Sequence, residues 1–196
     1  MPTTSTSTAA APEPDTERFT VITGGPGAGK STLIDRLEHA GHARTHEAGR
    51  AVIQDQAAIG GRALPWHDRE LFAELMLASD LRSHRRAAGE RAHVFFDRGI
   101  PDIVGYLRLE GLPVPPHVHA AAQRFRYRRR VFIAPPWPEI YVRDAERKQS
   151  YETACRTHEA MAAAYSAYGY ELVPLPRASV EERVRFVTQD IGREPA

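Results

Sequence analysis

The sequence predicts an α/β protein, a parallel sheet covered by helices on both faces. Three observations carry this reading. Short apolar runs rich in β-branched and aromatic residues recur along the chain. Stretches with helical spacing separate them. The first apolar run also passes straight into a glycine-rich turn that opens a helix.

The first strand is Phe19–Thr23 (FTVIT). It leads into Gly24-Gly25-Pro26-Gly27-Ala28-Gly29-Lys30-Ser31, a full match to G-x-x-x-x-G-K-[ST]. The following STLIDRLEHA carries Leu33, Ile34 and Leu37 at helical spacing and stops at Gly41. Strand, glycine loop and helix in that order define a P-loop. Its glycines let backbone N–H groups of Gly25, Pro26-Gly27, Ala28, Gly29, Lys30, Ser31 and Thr32 surround a phosphate, apart from the proline, which has no N–H. The helix N-terminus adds partial positive charge. Lys30 is expected to reach the β- and γ-phosphates, and the Ser31 hydroxyl to face Mg²⁺.

A weak second strand is expected near Ala43–His46. EAGRAVIQDQAAIGG reads as a helix ended by two glycines. The next helix, DRELFAELMLASDLRSHRRAAG, places Leu71, Phe72, Leu75 and Met76 on one stripe and stops at Gly89. His93–Asp97 is the third strand, followed by a helix that accepts Pro101 in its first turn. Val131–Ala134 is the fourth strand. SYETACRTHEAMAAAYSAYG is a helix ended by Gly169, Glu171–Leu175 is the fifth strand, and SVEERVRFVTQDIG opens with a Ser179/Glu182 capping box.

The 196 residues suit one domain, expected over 18–193, after a Thr/Ser/Ala/Pro-rich tail over 1–17 that should be disordered. A formal net charge of +1 offers no global field to recruit nucleic acid or an acidic membrane. The single Cys155 excludes an internal disulfide framework and suits a reducing cytosol, so a cytoplasmic location is expected. No apolar run approaches membrane-spanning length, and the N-terminus lacks a signal peptide's basic start and apolar middle. Of 26 Lys+Arg residues only Lys30 and Lys148 are lysine, which marks both as places where a compact charge matters. The nine histidines show no zinc-like spacing.

Ligands of open parallel sheets collect at the carboxyl ends of the strands. There the sequence places Glu47 and Arg50 after the second strand and Asp97, Arg98 and Asp102 after the third. Arg143, Arg147 and Lys148 follow the fourth. The last three share one helical face and read as a lid over a triphosphate, against a solvated face neutralised by Asp144 and Glu146. Asp97 ends an apolar strand and is followed by Arg98, not by the glutamate a water-activating ATPase carries. That pair suits orienting a substrate hydroxyl and holding phosphate. Asp97 could also reach Mg²⁺, and either Asp97 or Glu47 could serve as base. Trp66, in a loop before a helix, is either an apolar substrate platform or a core anchor. The run RFRYRRR (124–130) reads as a helix end and strand entry more than as a nucleic-acid patch.

FTVITGGPGAGKST, EAGRAVIQ, LPW, VFFDRGIPD, GYLRLEGLPVP, FIAPPWPEIY, RDAERK and YGYELVPLP together resemble the AAA-type predicted ATPases of bacteria. These group with the kinase domain of bacterial nicotinamide riboside kinases and, more distantly, with nucleoside and nucleotide kinases. The likeness runs from Arg18 to Arg193. It implies a P-loop NTPase three-layer sandwich with sheet order 2-3-1-4-5. It also implies a substrate-hydroxyl contact at Glu47, an Asp97-Arg98 pair and an Arg143/Arg147 lid. The chain is too short for the extra helical subdomain of an oligomeric AAA+ motor, and the absence of N-K-x-D favours ATP over GTP.

The expectation that follows is a Mg²⁺-dependent kinase moving the ATP γ-phosphoryl group to a small-molecule hydroxyl acceptor. Lys30, Arg98, Arg143 and Arg147 would stabilise charge, with Ser31 and Asp97 toward the metal. Asp97, or its rival Glu47, would face the acceptor beside Arg50, Asp102 and Trp66. The acceptor is a nucleoside-like metabolite or hydroxylated natural product, a homodimer is compatible with the chain, and nucleic acid is disfavoured. A nucleotide switch with a protein or lipid partner and a plain ATP hydrolase are the alternatives.

Overall fold

Phe19–Gly24 (β1) is fully buried and lies at the centre of a five-stranded parallel sheet. In the computed structural model, which describes residues 16–140 and 150–192, the other strands are Ala43–Arg44 (β2), Val94–Asp97 (β3), Arg130–Ala134 (β4) and Glu171–Pro174 (β5). The order is β2-β3-β1-β4-β5, and every pairing is parallel. This is the order implied above. β1 pairs β3 with Ile22 beside Asp97, and pairs β4 with Gly24 beside Ala134. That register brings the carboxyl ends of β1 and β3 to one edge, where the P-loop leaves the sheet.

The helices are Lys30–His39 (α1), Ala48–Ile59 (α2), Arg69–Gly89 (α3), Ile100–Leu109 (α4), Pro116–Arg124 (α5), Tyr151–Ala167 (α6) and Val180–Ile191 (α7). Their ends follow the expected chemistry. Asp68 caps α3 by accepting from the Leu71 N–H, Ser150 caps α6, and Ser179 and Glu182 form the reciprocal box at α7. Gly60 ends α2 in the left-handed region at φ +66°.

Side chains alternate across the sheet, so neighbouring Phe95 and Phe96 serve different cores. Phe19, Val21 and Phe96 face Ile100, Ile103, Leu107 and Tyr165 under α3 to α6. Ile22, Phe95 and Phe132 face Leu33, Ile34, Leu37 and Val187 under α1 and α7. Each such buried side chain contributes about 2 kcal/mol.

Two expectations need correction. The buried stripe of α3 is Phe72, Ala73, Leu77, Asp80, His84 and Ala87, whereas Leu71 is exposed. Two of its members are polar, which shifted the apparent stripe. The helix α5, PHVHAAAQR, opens with proline and ends at Arg124, where the arginine run reads as a helix end. Thr16–Arg18 form one 3₁₀ turn, so the end of the expected tail is ordered into the fold, with Arg18 donating to the carbonyls of Ala87, Ala88, Glu90 and Ala92.

The arginine run 124–130 serves this fold. Arg126 stacks 4.0 Å over Tyr170, and the buried Arg128 and the part-exposed Arg130 both hold Asp190 on α7. No described helix is long and apolar enough to cross a membrane.

Candidate active site

The loop from Gly24 to Gly29 turns back over the end of β1 and delivers Lys30 and Ser31 to the first turn of α1. Gly27 and Gly29 both sit at φ +72°, a conformation a side chain would strain. Gly25 has no room for a Cβ, which would run into the Ala154 carbonyl on α6. Lys30 is buried, and its Nζ donates to Gly25 O at 2.7 Å and Gly24 O at 3.2 Å. Burial pushes its ammonium down to about 8, with Arg98 pushing the same way and Glu47, Asp97 and Asp102 opposing.

Arg98 follows β3 with φ +70°, the one described non-glycine residue in that region. Its own N–H is tied to Ile22 O on β1 at 3.1 Å. The side chain then spans two carboxylates: Nε donates to Glu47 Oε1 at 2.8 Å and Nη1 to Asp102 Oδ1 at 2.9 Å. Burial works against the guanidinium charge, but Glu47 and Asp102 outweigh it. For Glu47, burial favours the neutral acid, yet Arg98, Lys30 and Arg50 hold the carboxyl down at about 2. Arg50 itself is half exposed, with Nε 3.9 Å from Glu47 Oε2.

Asp102 is buried and fully committed. Oδ1 accepts from Thr23 Oγ1 at 2.5 Å and from Arg98, and Oδ2 from the Gly99 N–H at 3.0 Å and the Tyr165 hydroxyl at 2.6 Å. Each lone-pair direction therefore meets a protein donor. Asp97 is the opposite case. It is buried, its carboxylate makes no hydrogen bond among the described residues, and Oδ1 is inaccessible. Burial and the neighbouring Glu47 raise its pKa. A buried carboxylate oxygen without a donor fits a hard cation, so Asp97 and the Ser31 hydroxyl suit Mg²⁺. Among the described residues no three His, Cys, Asp or Glu side chains form a metal cluster of their own.

Two charged groups were missed by sequence reasoning. Asp80, on the buried stripe of α3, has no hydrogen bond or ion pair among the described residues and lies within electrostatic reach of Asp102, Arg98, Glu47 and Asp97. Burial above all, then Asp102, pushes its carboxyl up to about 8. Arg183, on α7, is buried against the P-loop. In both cases a charged residue on an apolar helical stripe was the available signal.

Beside the charges runs an apolar wall. Gly49 on α2 abuts Met76 and Phe72 of α3, and the Phe72 ring meets Tyr106 of α4 edge-on at 5.5 Å. The Tyr106 hydroxyl is buried without a partner among the described residues. Trp66 is no core anchor, being 65% exposed, and lines a shallow depression of about 410 Å³ with Arg69, Glu70 and Leu112, away from the charged cluster. Arg143, Arg147 and Lys148 lie outside the described residues, as do Asp144 and Glu146.

A P-loop at the end of the central strand, with strand order 2-3-1-4-5, defines a P-loop nucleotide-binding protein of the kinase-like α/β class. The chain belongs to the AAA domain family, whose model matches residues 19–183. No curated protein matches it in sequence. Among solved structures, deoxyadenosine kinase from M. mycoides, with dCMP and dCDP bound, shares the fold. Its TM-score is 0.65 at 12% identity, over 88% of this chain and 98% of that one. NadR protein in complex with NR gives a TM-score of 0.66 at 19% identity, over 92% of this chain and 54% of that one. The chain thus spans about half the length of NadR.

Proposed function

We propose that the protein is an ATP-dependent small-molecule kinase. The observation that carries this reading is the Arg98 bridge, which joins carboxylates from α2 and α4 beside the P-loop lysine. Phosphoryl transfer needs positioning and charge neutralisation, and this network supplies both. The fold-related structures bind nucleosides or nucleotides by their descriptions, in line with the reading.

Lys30, with the loop amides from Gly25 to Thr32, would hold the polyphosphate. When bound, Mg²⁺ would neutralise charge on the phosphate oxygens, held by Ser31 and Asp97. Reach separates the two candidate bases: Glu47 is part-exposed while Asp97 is buried. This supports Glu47 as the group that orients the acceptor hydroxyl and takes its proton late, with Asp97 on the metal side. Asp102 then acts by holding Arg98. The acceptor would lie along Phe72 and Tyr106, as a nucleoside-like or similarly hydroxylated molecule.

The test is ADP release from ATP and Mg²⁺, with and without pooled nucleosides, sugars and hydroxylated natural products, followed by mass spectrometry. A compound that stimulates release and gains the mass of one phosphoryl group is the expected result. Uniformly slow release with tight nucleotide binding would point instead to a nucleotide switch.

A further inference from the structure

Arg183 sits in the second turn of α7, anchored by the Ser179/Glu182 box. Its side chain is buried, with a relative exposure of 3% for the residue. Nη1 and Nη2 both donate to the Ala28 carbonyl at 3.2 Å, and this carbonyl belongs to the P-loop. Nε is buried and has no hydrogen-bond partner among the described residues. No carboxylate pairs with the guanidinium among the described residues, and burial alone lowers its pKa. The guanidinium also lies 5.9 Å from the Trp137 ring centroid. Buried charges in folded proteins are ordinarily paired. Among the described residues, this one hydrogen-bonds only to a neutral carbonyl.

The position of that carbonyl has a mechanical consequence. The Ala28–Gly29 peptide is trans, so its C=O and N–H point in opposite directions. The guanidinium lies tight against this peptide, since a Cβ on Gly29 would come within 2.8 Å of Nη1. Arg183 grips the carbonyl from the α7 side and thereby turns the Gly29 N–H away from α7. A carbonyl held by a cation also polarises its own peptide and strengthens the N–H as a donor.

We propose that Arg183 is a positioning residue for nucleotide phosphate: it orients and polarises the Gly29 amide, through the Ala28 carbonyl, toward bound polyphosphate. This rests on the nucleotide-binding reading given above and adds to it a residue from the far end of the chain.

The experiment compares wild type, Arg183→Met and Arg183→Lys by calorimetric titration with ATP and with inorganic tripolyphosphate. The melting temperature of each protein without ligand is measured alongside. Arg183→Met keeps the stem and removes the charge, so both ligands should weaken about 10- to 100-fold, the scale of one charge-assisted hydrogen bond. Its ligand-free melting temperature should hold or rise, because an unpaired buried charge has gone. Arg183→Lys should recover part of the loss. A lowered ligand-free melting temperature with unchanged ligand affinity would make Arg183 purely structural and overturn the proposal. Weakened ATP with unchanged tripolyphosphate would also overturn it, placing the effect at the nucleobase. Wild type that binds neither ligand would overturn the nucleotide reading itself and this proposal with it, a result distinct from a wild type and variant that bind equally.

Discussion

Arg98 and Glu47 stand 51 residues apart in sequence and meet through a 2.8 Å hydrogen bond from Nε to Oε1, while the same guanidinium holds Asp102 at 2.9 Å. One side chain therefore fixes the distance between the start of α2 and the start of α4. Arg98→Met would leave two carboxylates in a largely buried site without their cation. We expect a stability loss of about 3 kcal/mol in urea unfolding and the loss of acceptor-stimulated ADP release. Arg98→Lys, able to serve one carboxylate at a time, should fall between. A loss near zero for Arg98→Met would mean that solvent screens the bridge.

Lys30 gives nucleotide binding a pH signature. Its ammonium is pushed down to about 8 from an ordinary 10.5, chiefly by burial. Below pH 8 the side chain is already charged and meets phosphate directly. Above pH 8 the free protein must first take up a proton, which phosphate then favours. ATP affinity should therefore fall by up to about tenfold per pH unit above pH 8. Calorimetry in buffers of different ionisation enthalpy should register the proton uptake. Lys30→Ala should bind ATP weakly without that slope, and a wild-type affinity that is flat from pH 7 to 10 would refute the linkage.

Asp80 gives stability a different dependence. Its carboxyl is pushed up to about 8 from an ordinary 3.8. Between those values the folded protein keeps a proton that the unfolded chain has released. The contribution is complete below about pH 4 and disappears as pH rises through about 8. Asp80→Asn is neutral throughout and should gain on wild type from pH 5 to 8, by at most about 1.4 kcal/mol per unit, then level off. Unfolding midpoints at pH 5, 7 and 9 check this, and a constant difference across the three would contradict it.

The fold was largely legible because its elements are locally encoded. Each strand is a short apolar run, and the P-loop states its own geometry in glycines. All five strands stand within a few residues of their expected places, and β2, the weakest in sequence, is also the shortest. The site was legible as a set of charges at strand ends. Which of them pair was not, because Arg98 meets Glu47, and Thr23 and Tyr165 meet Asp102, across 51, 79 and 63 residues of chain, contacts without a sequence period. Asp80 and Arg183 escaped notice because helical periodicity treats a charged residue on an apolar stripe as a gap.

Glu47 and Asp97 differ in reach, and kinetics can separate them. The Glu47 side chain is 24% exposed and ion-paired, whereas Asp97 is 3% exposed and has no donor among the described residues. If Glu47 faces the acceptor, Glu47→Gln should keep ATP affinity, lose the contact with the hydroxyl, and lower kcat by about 10²-fold, the size of a general-base contribution. If Asp97 serves the metal, Asp97→Asn should raise the Mg²⁺ concentration needed for half-maximal turnover, and excess Mg²⁺ should restore part of the rate. Initial rates over a Mg²⁺ series for both variants distinguish the roles. An inactive Asp97→Asn with an unaltered Mg²⁺ requirement, beside a nearly normal Glu47→Gln, would move the base to Asp97. The part-exposed Glu47 would then act only by holding Arg98 in place.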